Sequence, residues 1–284
     1  MMEGTLMPAP DTITTAQLAR LVGLPDAPVL LDVRIEEDYA ADPRLFPASL
    51  RREARDVTAW MADYAGQHVV VACQRGLKLS QGVAAWLRHG GARAEVLEGG
   101  FEAWAAEGQL LVRPDRLPTR DAEGRTVWVT RSRPKVDRIA CPWLIRRFVD
   151  PLAVFLFVAP SEVGAVAERF GAVPFDVEGV FWSHRGEDCT FDVMVQEFGL
   201  RSEPLLRLAE IVRGADTARP DLAPQAAGLL AASLGLSRMH RDDLAQLAAG
   251  MDLYDAFYRW SRDAVAETHN WPVGTAGGAG RDVR

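Results

Sequence analysis

The sequence predicts an α/β domain, a parallel sheet flanked by helices, followed by a second, helix-rich domain of the α/β or α+β class. Two short apolar runs, Val29–Leu31 and Val69–Ala72, each end in polar residues, as buried parallel strands commonly do. After the second run, apolar residues recur at helical spacing over 81–89, Gly90–Gly91 closes the helix, and Ala94–Leu97 is again strand-like. Strand, turn, helix, glycine and strand in this order form a βαβ unit.

Two domains are expected from the size of the chain. Its 284 residues are 48% hydrophobic, enough for two cores of about 100 to 150 residues each. The segment Val112–Arg125 contains prolines, a glycine and many charges without an apolar period, as linkers do. We therefore predict a first domain at 1–112, a linker at 113–126, a second domain at 127–270 and a disordered Gly- and Ala-rich tail at 271–284.

Helical patterns dominate the second domain. They cover Asp137–Phe148, Ser161–Phe170, Phe191–Phe198, Pro204–Val212, Ala223–Leu234 and Asp242–Arg262. Strands are predicted at Ala153–Val158 and Val180–Trp182, with an opening segment at Thr126–Val129.

The net charge indicates which partners the protein can bind, and the cysteine content indicates in which cellular compartment it works. A net charge of −7 argues against a nucleic-acid surface, because such binding relies on Lys and Arg neutralising phosphates. The three cysteines, Cys73, Cys141 and Cys189, are too few and too scattered for a disulfide framework, which favours free thiols in a reducing compartment. The sequence has neither a signal-peptide pattern nor an apolar run of about 18 residues, so we expect a soluble, cytoplasmic protein that does not bind membranes.

Cys73 begins a loop that is suited to an activated thiol. The loop Cys73–Lys78 lies between a predicted strand and a predicted helix, where backbone N–H groups can converge on an anion. The helix N-terminus, Arg75 and Lys78 are expected to lower the thiol pKa and favour the nucleophilic thiolate, and Gly76 permits the tight curl of the loop. The alternative is a small buried hydrophobe at a strand end; the surrounding loop favours the nucleophile.

Several segments around this loop together resemble the rhodanese family of sulfurtransferases: Leu31–Arg34 with Glu37 and Tyr39, the Cys73 loop, and Leu97–Phe101 with Trp104. The resemblance implies a rhodanese-type parallel sheet and a persulfide on Cys73. The sulfur would come from a small anionic donor such as thiosulfate and pass to a thiol or cyanide acceptor, with no cofactor. The site residues that follow are, for catalysis, Cys73, Arg75, Gly76, Lys78 and Asp32 and, for substrate binding, Gln74 and Leu77.

The loop departs from the family pattern at three positions. Lys78 stands where the family often has Arg, Leu79 stands where a hydroxyl residue usually follows, and Ser80 is displaced by one position. Phosphatases of a related fold need an arginine at the position of Leu79 to grip a tetrahedral oxyanion, so phosphatase activity is not expected.

The second domain contains a cation-rich run at 128–148. Arg146 and Arg147 are interpreted as a solvated helix face and Trp143 as core. Lys135 and Arg138 are predicted to bind substrate, specifically an oxyanion.

A second cluster of reactive residues follows in the loop Ser183–Asp192, which packs an imidazole, three carboxylates and a thiol into ten residues. We predict that His184 and Glu187, joined by Asp216, bind a divalent metal ion (Zn, Fe or Mn), facing Lys135 and Arg138. The alternative is that His184 is an ordinary hydrogen-bonded surface residue.

Long stretches of the second domain also resemble the C-terminal domain of chromate-resistance proteins. They are the run from Trp128, the His184 loop, Ile211–Thr217, Leu222–Leu230 and Gly250–Ala256. The resemblance implies a role in chromate or oxidative-stress tolerance, with an oxyanion such as chromate as a partner, and it implies no reaction.

Two functions follow from the sequence. The first is a sulfurtransferase fused to a chromate-resistance domain. The alternative is a non-catalytic, chromate- or metal-responsive sensor or binding protein, in which the first domain is a redox-responsive adaptor.

Overall fold

Two parallel sheets, one in each half of the chain, organise a computed structural model that describes residues 11–267. The strands of the first sheet are β1 (Thr12–Ile13), β2 (Val29–Asp32), β3 (Leu50–Arg51), β4 (His68–Ala72) and β5 (Arg93–Leu97). All neighbours pair in parallel in the order β1-β5-β4-β2-β3. The strand that leads into Cys73 is therefore the central one.

Helices cover both faces of this sheet. They are α1 (Thr15–Ala19), α2 (Glu36–Ala41), α3 (Val57–Trp60), α4 (Lys78–His89) and α5 (Gly100–Ala106). Along β4, Val69, Val71 and Cys73 join the apolar cluster that contains α3 and α4, whereas Val70 and Ala72 join the cluster that contains α1 and α5. Burial on both faces explains the continuous apolar run of this strand, and it confirms the predicted parallel sheet flanked by helices.

The second sheet is small. Its strands β6 (Val127–Arg131), β7 (Val154–Val158) and β8 (Val173–Pro174) pair in parallel in the order β7-β6-β8. The remaining helices are α6 (Asp137–Leu144), α7 (Val163–Phe170), α8 (Thr190–Glu197), α9 (Glu203–Asp216), α10 (Ala226–Met239) and α11 (Asp243–Arg259). A π-helical turn extends α6 over Ile145–Val149, and another follows α11 at Trp260–Ala264. This half is helix-rich, as predicted.

The strand predicted at Val180–Trp182 is wrong. Only Trp182 pairs, in an isolated bridge to Phe175. Its indole stacks on Phe198 with ring centroids 4.8 Å apart and lies edge-on to Trp128 at 5.8 Å. The apolar character of the segment therefore reflects an aromatic cluster and not a strand ladder.

The two halves share one apolar core. A single cluster of buried side chains runs from the α5 face of the first sheet into the helices of the second half. Between the halves, Ala48 N–H donates to the Phe148 carbonyl at 2.7 Å.

The segment predicted as a linker, 113–126, is ordered. It contains a 3₁₀ turn at Pro114–Arg116 and a bridge between Arg120 and Thr126. Arg113 N–H donates to the Phe198 carbonyl at 3.0 Å, so the segment packs on the second half. The predicted tail, 271–284, lies outside the described residues. Within residues 11–267, no helix combines the length and apolarity needed to cross a bilayer.

Candidate functional site

Cys73 is the first residue after β4, and its side chain is 6% exposed. Its sulfur lies 3.2 Å from the Ser80 hydroxyl in the first turn of α4. Burial raises the pKa of the thiol, but hydrogen bonds from the Ser80 hydroxyl and from the backbone N–H groups of Ser80, Arg75 and Leu77 outweigh it and lower the pKa below its ordinary value. The loop therefore favours the thiolate form of Cys73.

Two glycines bring the turn after β5 against this loop. Gly76 has φ +66°, and a Cβ there would lie 2.4 Å from the Leu97 carbonyl oxygen. Gly100 has φ +58°, and a Cβ there would lie 2.2 Å from the Cys73 carbonyl oxygen. That carbonyl accepts a 3.0 Å hydrogen bond from Phe101 N–H. The backbones of the Cys73 loop and of the turn after β5 approach too closely for a side chain at either glycine. This contact holds the Cys73 loop in place.

The two cations of the loop have different surroundings. Arg75 is 71% exposed, and its Nε lies 3.1 Å from Glu102 Oε1. Lys78, the first residue of α4, is exposed, and its ammonium group has no hydrogen bond or ion pair within the part of the chain that the structure describes. Lys78 is therefore the cation left free to meet an incoming anion.

Two of the four residues predicted to bind substrate, Gln74 and Leu77, also lie at this loop. Leu77 is 57% exposed and forms an apolar lip. Gln74 donates from Nε2 to Glu102 Oε1 at 3.3 Å, while its Oε1 is buried without a hydrogen-bond donor among the described residues.

The structure corrects the catalytic role predicted for Asp32. This residue pairs with Ala72 in the sheet, so it lies on the face opposite to the Cys73 side chain. Both of its carboxylate oxygens accept hydrogen bonds from the Arg34 guanidinium, in an ion pair buried from solvent. Asp32 therefore holds the chain after β2 and does not reach the sulfur.

A second cluster of reactive side chains lies in the other half. One carboxylate oxygen each from Asp137 and Asp216 and a ring nitrogen of His184 lie within 4.8 Å of one another. The His184 Nε2 is 3.5 Å from Asp137 Oδ2, 3.2 Å from Asp216 Oδ2 and 3.4 Å from Oδ1 of a third carboxylate, Asp176.

Separate elements bring these four residues together. Asp137 begins α6, and Asp216 ends α9. Asp176 follows β8 and has φ +51°. His184 lies in the loop before α8, with a side chain that is 39% exposed. The cluster is thus closed on the protein side and open to solvent at the imidazole.

Electrostatics in the cluster are dominated by the carboxylates. Burial, together with the charges of Asp216 and Asp176, raises the pKa of Asp137 well above its ordinary value. Hydrogen bonds to Asp176 and Asp216 raise the pKa of His184 to about 10. Burial raises the pKa of Asp176, but hydrogen bonds from His184 and Thr190 and the nearby Arg138 lower it overall. The three carboxyl groups around His184 thus favour the protonated form of its imidazole.

Two protein families match separate parts of the chain. Residues 14–107 match the rhodanese-like domain, and residues 128–261 match the C-terminal domain of ChrB. The chain joins a rhodanese-like domain to a ChrB C-terminal domain.

The ChrB domain is similar to Protein ChrB of Cupriavidus metallidurans, with 37% identity over 132 residues. The match covers 46% of this chain and 39% of that protein, so the chain spans about two fifths of the length of this curated relative.

Solved structures are similar to the rhodanese-like domain. A rhodanese-related protein from Thermoplasma volcanium is 22% identical, with 36% of this chain and 96% of that chain covered and a TM-score of 0.31. A rhodanese-like domain protein from Staphylococcus aureus is 26% identical, with 33% and 90% covered and a TM-score of 0.29.

The structure corrects the metal ligands predicted in the ChrB domain. Glu187 is 86% exposed and points to Arg219, 3.5 Å away, so it does not join His184 and Asp216. The tight turn of the loop, in which Arg185 and Asp188 pair with each other, directs Glu187 outwards. Asp137 takes its place in the cluster.

The predicted basic wall is only partly present. Arg138 lies beside the cluster, with Nε 3.3 Å from Asp176 Oδ2. Lys135 instead lines a groove with Arg133, Ser237 and Arg238, on the side of α10. A single oxyanion site formed by Lys135 and Arg138 is therefore not supported by their positions.

Sequence reasoning missed Ser80 as a sulfur contact and Asp137 and Asp176 as members of the cluster. The signal for Ser80 was a hydroxyl in the first turn of a helix that starts at the cysteine loop. In the sequence, Asp137 stands out as an acidic residue at the start of an otherwise apolar helix. Nothing in the sequence marks Asp176.

Proposed function

We propose that the rhodanese-like domain is a sulfurtransferase in which Cys73 carries a persulfide. The observation that carries the proposal is the sulfur environment: one hydroxyl and three backbone N–H groups surround Sγ and lower the pKa of the thiol. The thiolate is the form that attacks sulfane sulfur.

The reaction balances with a donor such as thiosulfate. The Cys73 thiolate attacks the outer sulfur, the S–S bond of the donor breaks with its electron pair, and sulfite leaves. A thiolate or cyanide acceptor then attacks the terminal sulfur of the persulfide. The new S–S or C–S bond forms as the Cys73–sulfur bond breaks, and the Cys73 thiolate is regenerated.

The other two cysteines lack this environment. Burial raises the pKa of both Cys141 and Cys189 well above the ordinary value, and nearby carboxylates raise it further. Both side chains are fully buried. Only Cys73 therefore combines thiolate character with a loop that opens towards solvent through Leu77 and Lys78.

The proposal is tested with intact-protein mass spectrometry after incubation with thiosulfate, followed by a turnover assay with cyanide as acceptor. We expect the wild-type chain to gain the mass of one sulfur atom and to form thiocyanate. Cys73→Ser should do neither, although it retains Cys141 and Cys189. A sulfur adduct that persists in Cys73→Ser, or wild type that never forms one, contradicts the proposal.

The physiological setting that we propose is chromate or oxidative-stress tolerance. The fusion of a rhodanese-like domain to a ChrB C-terminal domain is consistent with chromate resistance. In that setting the acceptor of the sulfane sulfur would be a small thiol, which would become a persulfide.

A second candidate is a non-catalytic sensor. The apolar core that is continuous between the two halves favours it, because Phe101, whose N–H donates to the Cys73 carbonyl, belongs to that core and links Cys73 to the packed side chains of the ChrB domain. A persulfide that forms once but is not turned over by any thiol or cyanide acceptor would support the sensor over the enzyme.

A further inference from the structure

The carboxylate cluster of the ChrB domain has the composition and spacing of a metal site. We propose that Asp137, His184 and Asp216 bind one divalent first-row metal ion, of the class of Mn²⁺, Fe²⁺ or Zn²⁺. Mixed imidazole and carboxylate ligands suit these ions. The proposal does not depend on the chemistry of Cys73.

The distances between the candidate ligand atoms fit such an ion. Ligands about 2.1 Å from a tetrahedral ion lie about 3.4 Å from one another. The His184 Nε2 lies 3.5 Å from Asp137 Oδ2 and 3.2 Å from Asp216 Oδ2. Both distances from the imidazole therefore suit one ion, and the ligand oxygens of Asp137 and Asp216 lie within 4.8 Å of each other.

A buried oxygen without a partner is the second observation that points to a ligand. Asp137 is fully buried, yet its Oδ1 receives no hydrogen bond within the described chain. A buried carboxylate oxygen without a donor is costly. A cation bound through both oxygens of the Asp137 carboxylate would give Oδ1 the partner that it lacks among the described residues.

The surrounding groups hold the ligands in place. Thr190 donates its backbone N–H to Asp137 Oδ2 at 2.6 Å and its hydroxyl to Asp176 Oδ1 at 3.0 Å. The guanidinium groups of Arg131 and Arg138 lie 3.1 Å and 3.3 Å from Asp176 Oδ2. Asp176 is thus occupied by several donors and acts as a positioning residue, whereas Asp137 accepts a hydrogen bond at Oδ2 and, within residues 11–267, none at Oδ1, and Asp216 Oδ2 faces the His184 imidazole.

The competing explanation is that a protonated His184 supplies the positive charge by itself. That arrangement also satisfies three carboxylates with one cation, but it requires no metal and leaves Asp137 Oδ1 without a partner. Direct metal binding separates the two explanations.

The experiment uses the full chain without a histidine tag, stripped with a chelator and titrated calorimetrically with Mn²⁺ and, separately, with Zn²⁺. Elemental analysis after removal of free ion gives the stoichiometry. The variants are Asp137→Asn, His184→Gln and Asp216→Asn. Glu187→Gln is the matched control, because Glu187 lies in the His184 loop but outside the cluster.

We expect one ion per chain for wild type and for Glu187→Gln, and at least a tenfold loss of affinity for His184→Gln and Asp216→Asn. Asp137→Asn tests the buried ligand, and circular dichroism checks its fold; if it misfolds, the two more exposed variants still decide. No binding of either ion by wild type would overturn the proposal. So would an equal loss of affinity in Glu187→Gln and His184→Gln, because the ion would then be held by surface charge.

Discussion

The Ser80 hydroxyl lies 3.2 Å from the sulfur of Cys73, on the first turn of α4. Its hydrogen bond lowers the thiol pKa, in opposition to burial. Removing the hydroxyl in Ser80→Ala should therefore raise the pKa and reduce the thiolate fraction at neutral pH. Alkylation of Cys73 at pH 7 should slow by roughly tenfold, which corresponds to a charge-assisted hydrogen bond of about 1.5 kcal/mol.

The measurement is the rate of reaction with a small alkylating reagent as a function of pH. In wild type the rate should rise at a pH below that of an ordinary thiol, and in Ser80→Ala the rise should move to higher pH. Ser80→Thr, which keeps a hydroxyl, should stay closer to wild type. Identical profiles for wild type and Ser80→Ala would show that the backbone N–H groups alone hold the thiolate.

Lys78 and Arg75 should contribute unequally to the use of an anionic donor. Lys78 has no partner in the described chain, whereas Arg75 is paired with Glu102. Lys78→Ala should raise the KM for thiosulfate about three- to tenfold and change thermal stability little, since an exposed cation contributes little packing. Arg75→Ala should have a smaller effect. Steady-state kinetics and thermal melts of both variants test this, and a larger kinetic defect in Arg75→Ala would reverse the assignment.

Gly100 should be intolerant of any side chain. A Cβ there would lie 2.2 Å from the Cys73 carbonyl oxygen and 2.5 Å from Gly76 N, and the residue has φ +58°. Gly100→Ala should cost at least about 2 to 3 kcal/mol of unfolding free energy and should displace the cysteine loop. Sulfur transfer should fall in the fraction that remains folded.

Gly108→Ala is the matched control for this substitution. Gly108 also has a positive φ, +67°, but a Cβ there meets nothing within 4 Å. Gly108→Ala should lower the unfolding free energy by only about 1 kcal/mol, the cost of placing alanine at a positive φ. Urea unfolding of the two variants separates the cost of a positive φ, which both share, from the cost of the steric clash, which only Gly100→Ala has. An equal loss of unfolding free energy in both would exclude the close approach of the two loops as the cause.

Local pattern was sufficient to predict the first sheet and the position of Cys73. A buried parallel strand reads as an apolar run, and β4 is one. It was not sufficient for Asp32, because which face of a strand a residue occupies depends on register: Asp32 pairs with Ala72 and so faces away from Cys73. Ser80 was missed because family spacing places the hydroxyl one residue earlier, whereas the helical turn brings this one to the sulfur.

In the cluster of the ChrB domain, distance along the sequence did not predict which residues lie together. His184 and Glu187 are close in sequence, yet the turn of the loop sends Glu187 to Arg219. Asp137 is distant in sequence, yet α6 begins beside His184. Convergence of this kind depends on how helices pack, and spacing along the chain does not report it.

Asp255 on α11 joins the helices of the ChrB domain. Its Oδ1 accepts hydrogen bonds from Trp143 Nε1 at 2.8 Å and Arg147 Nε at 2.9 Å, and its Oδ2 accepts one from Arg147 Nη2 at 2.6 Å. Asp255→Ala would leave the indole N–H buried without an acceptor and Arg147 without a partner. Breaking a buried ion pair costs about 3 to 5 kcal/mol.

Because the Arg147 side chain keeps 22% of its exposure, water would screen part of that loss, and we expect about 2 to 4 kcal/mol. Asp252→Ala, one turn earlier on the exposed face of α11, is the control and should change the unfolding free energy by less than about 0.5 kcal/mol. Urea unfolding monitored by tryptophan fluorescence measures both variants. If Asp255→Ala unfolds at the same urea concentration as Asp252→Ala, then packing of Trp143 against Tyr258 and Phe148, and not the carboxylate, holds α11 in place.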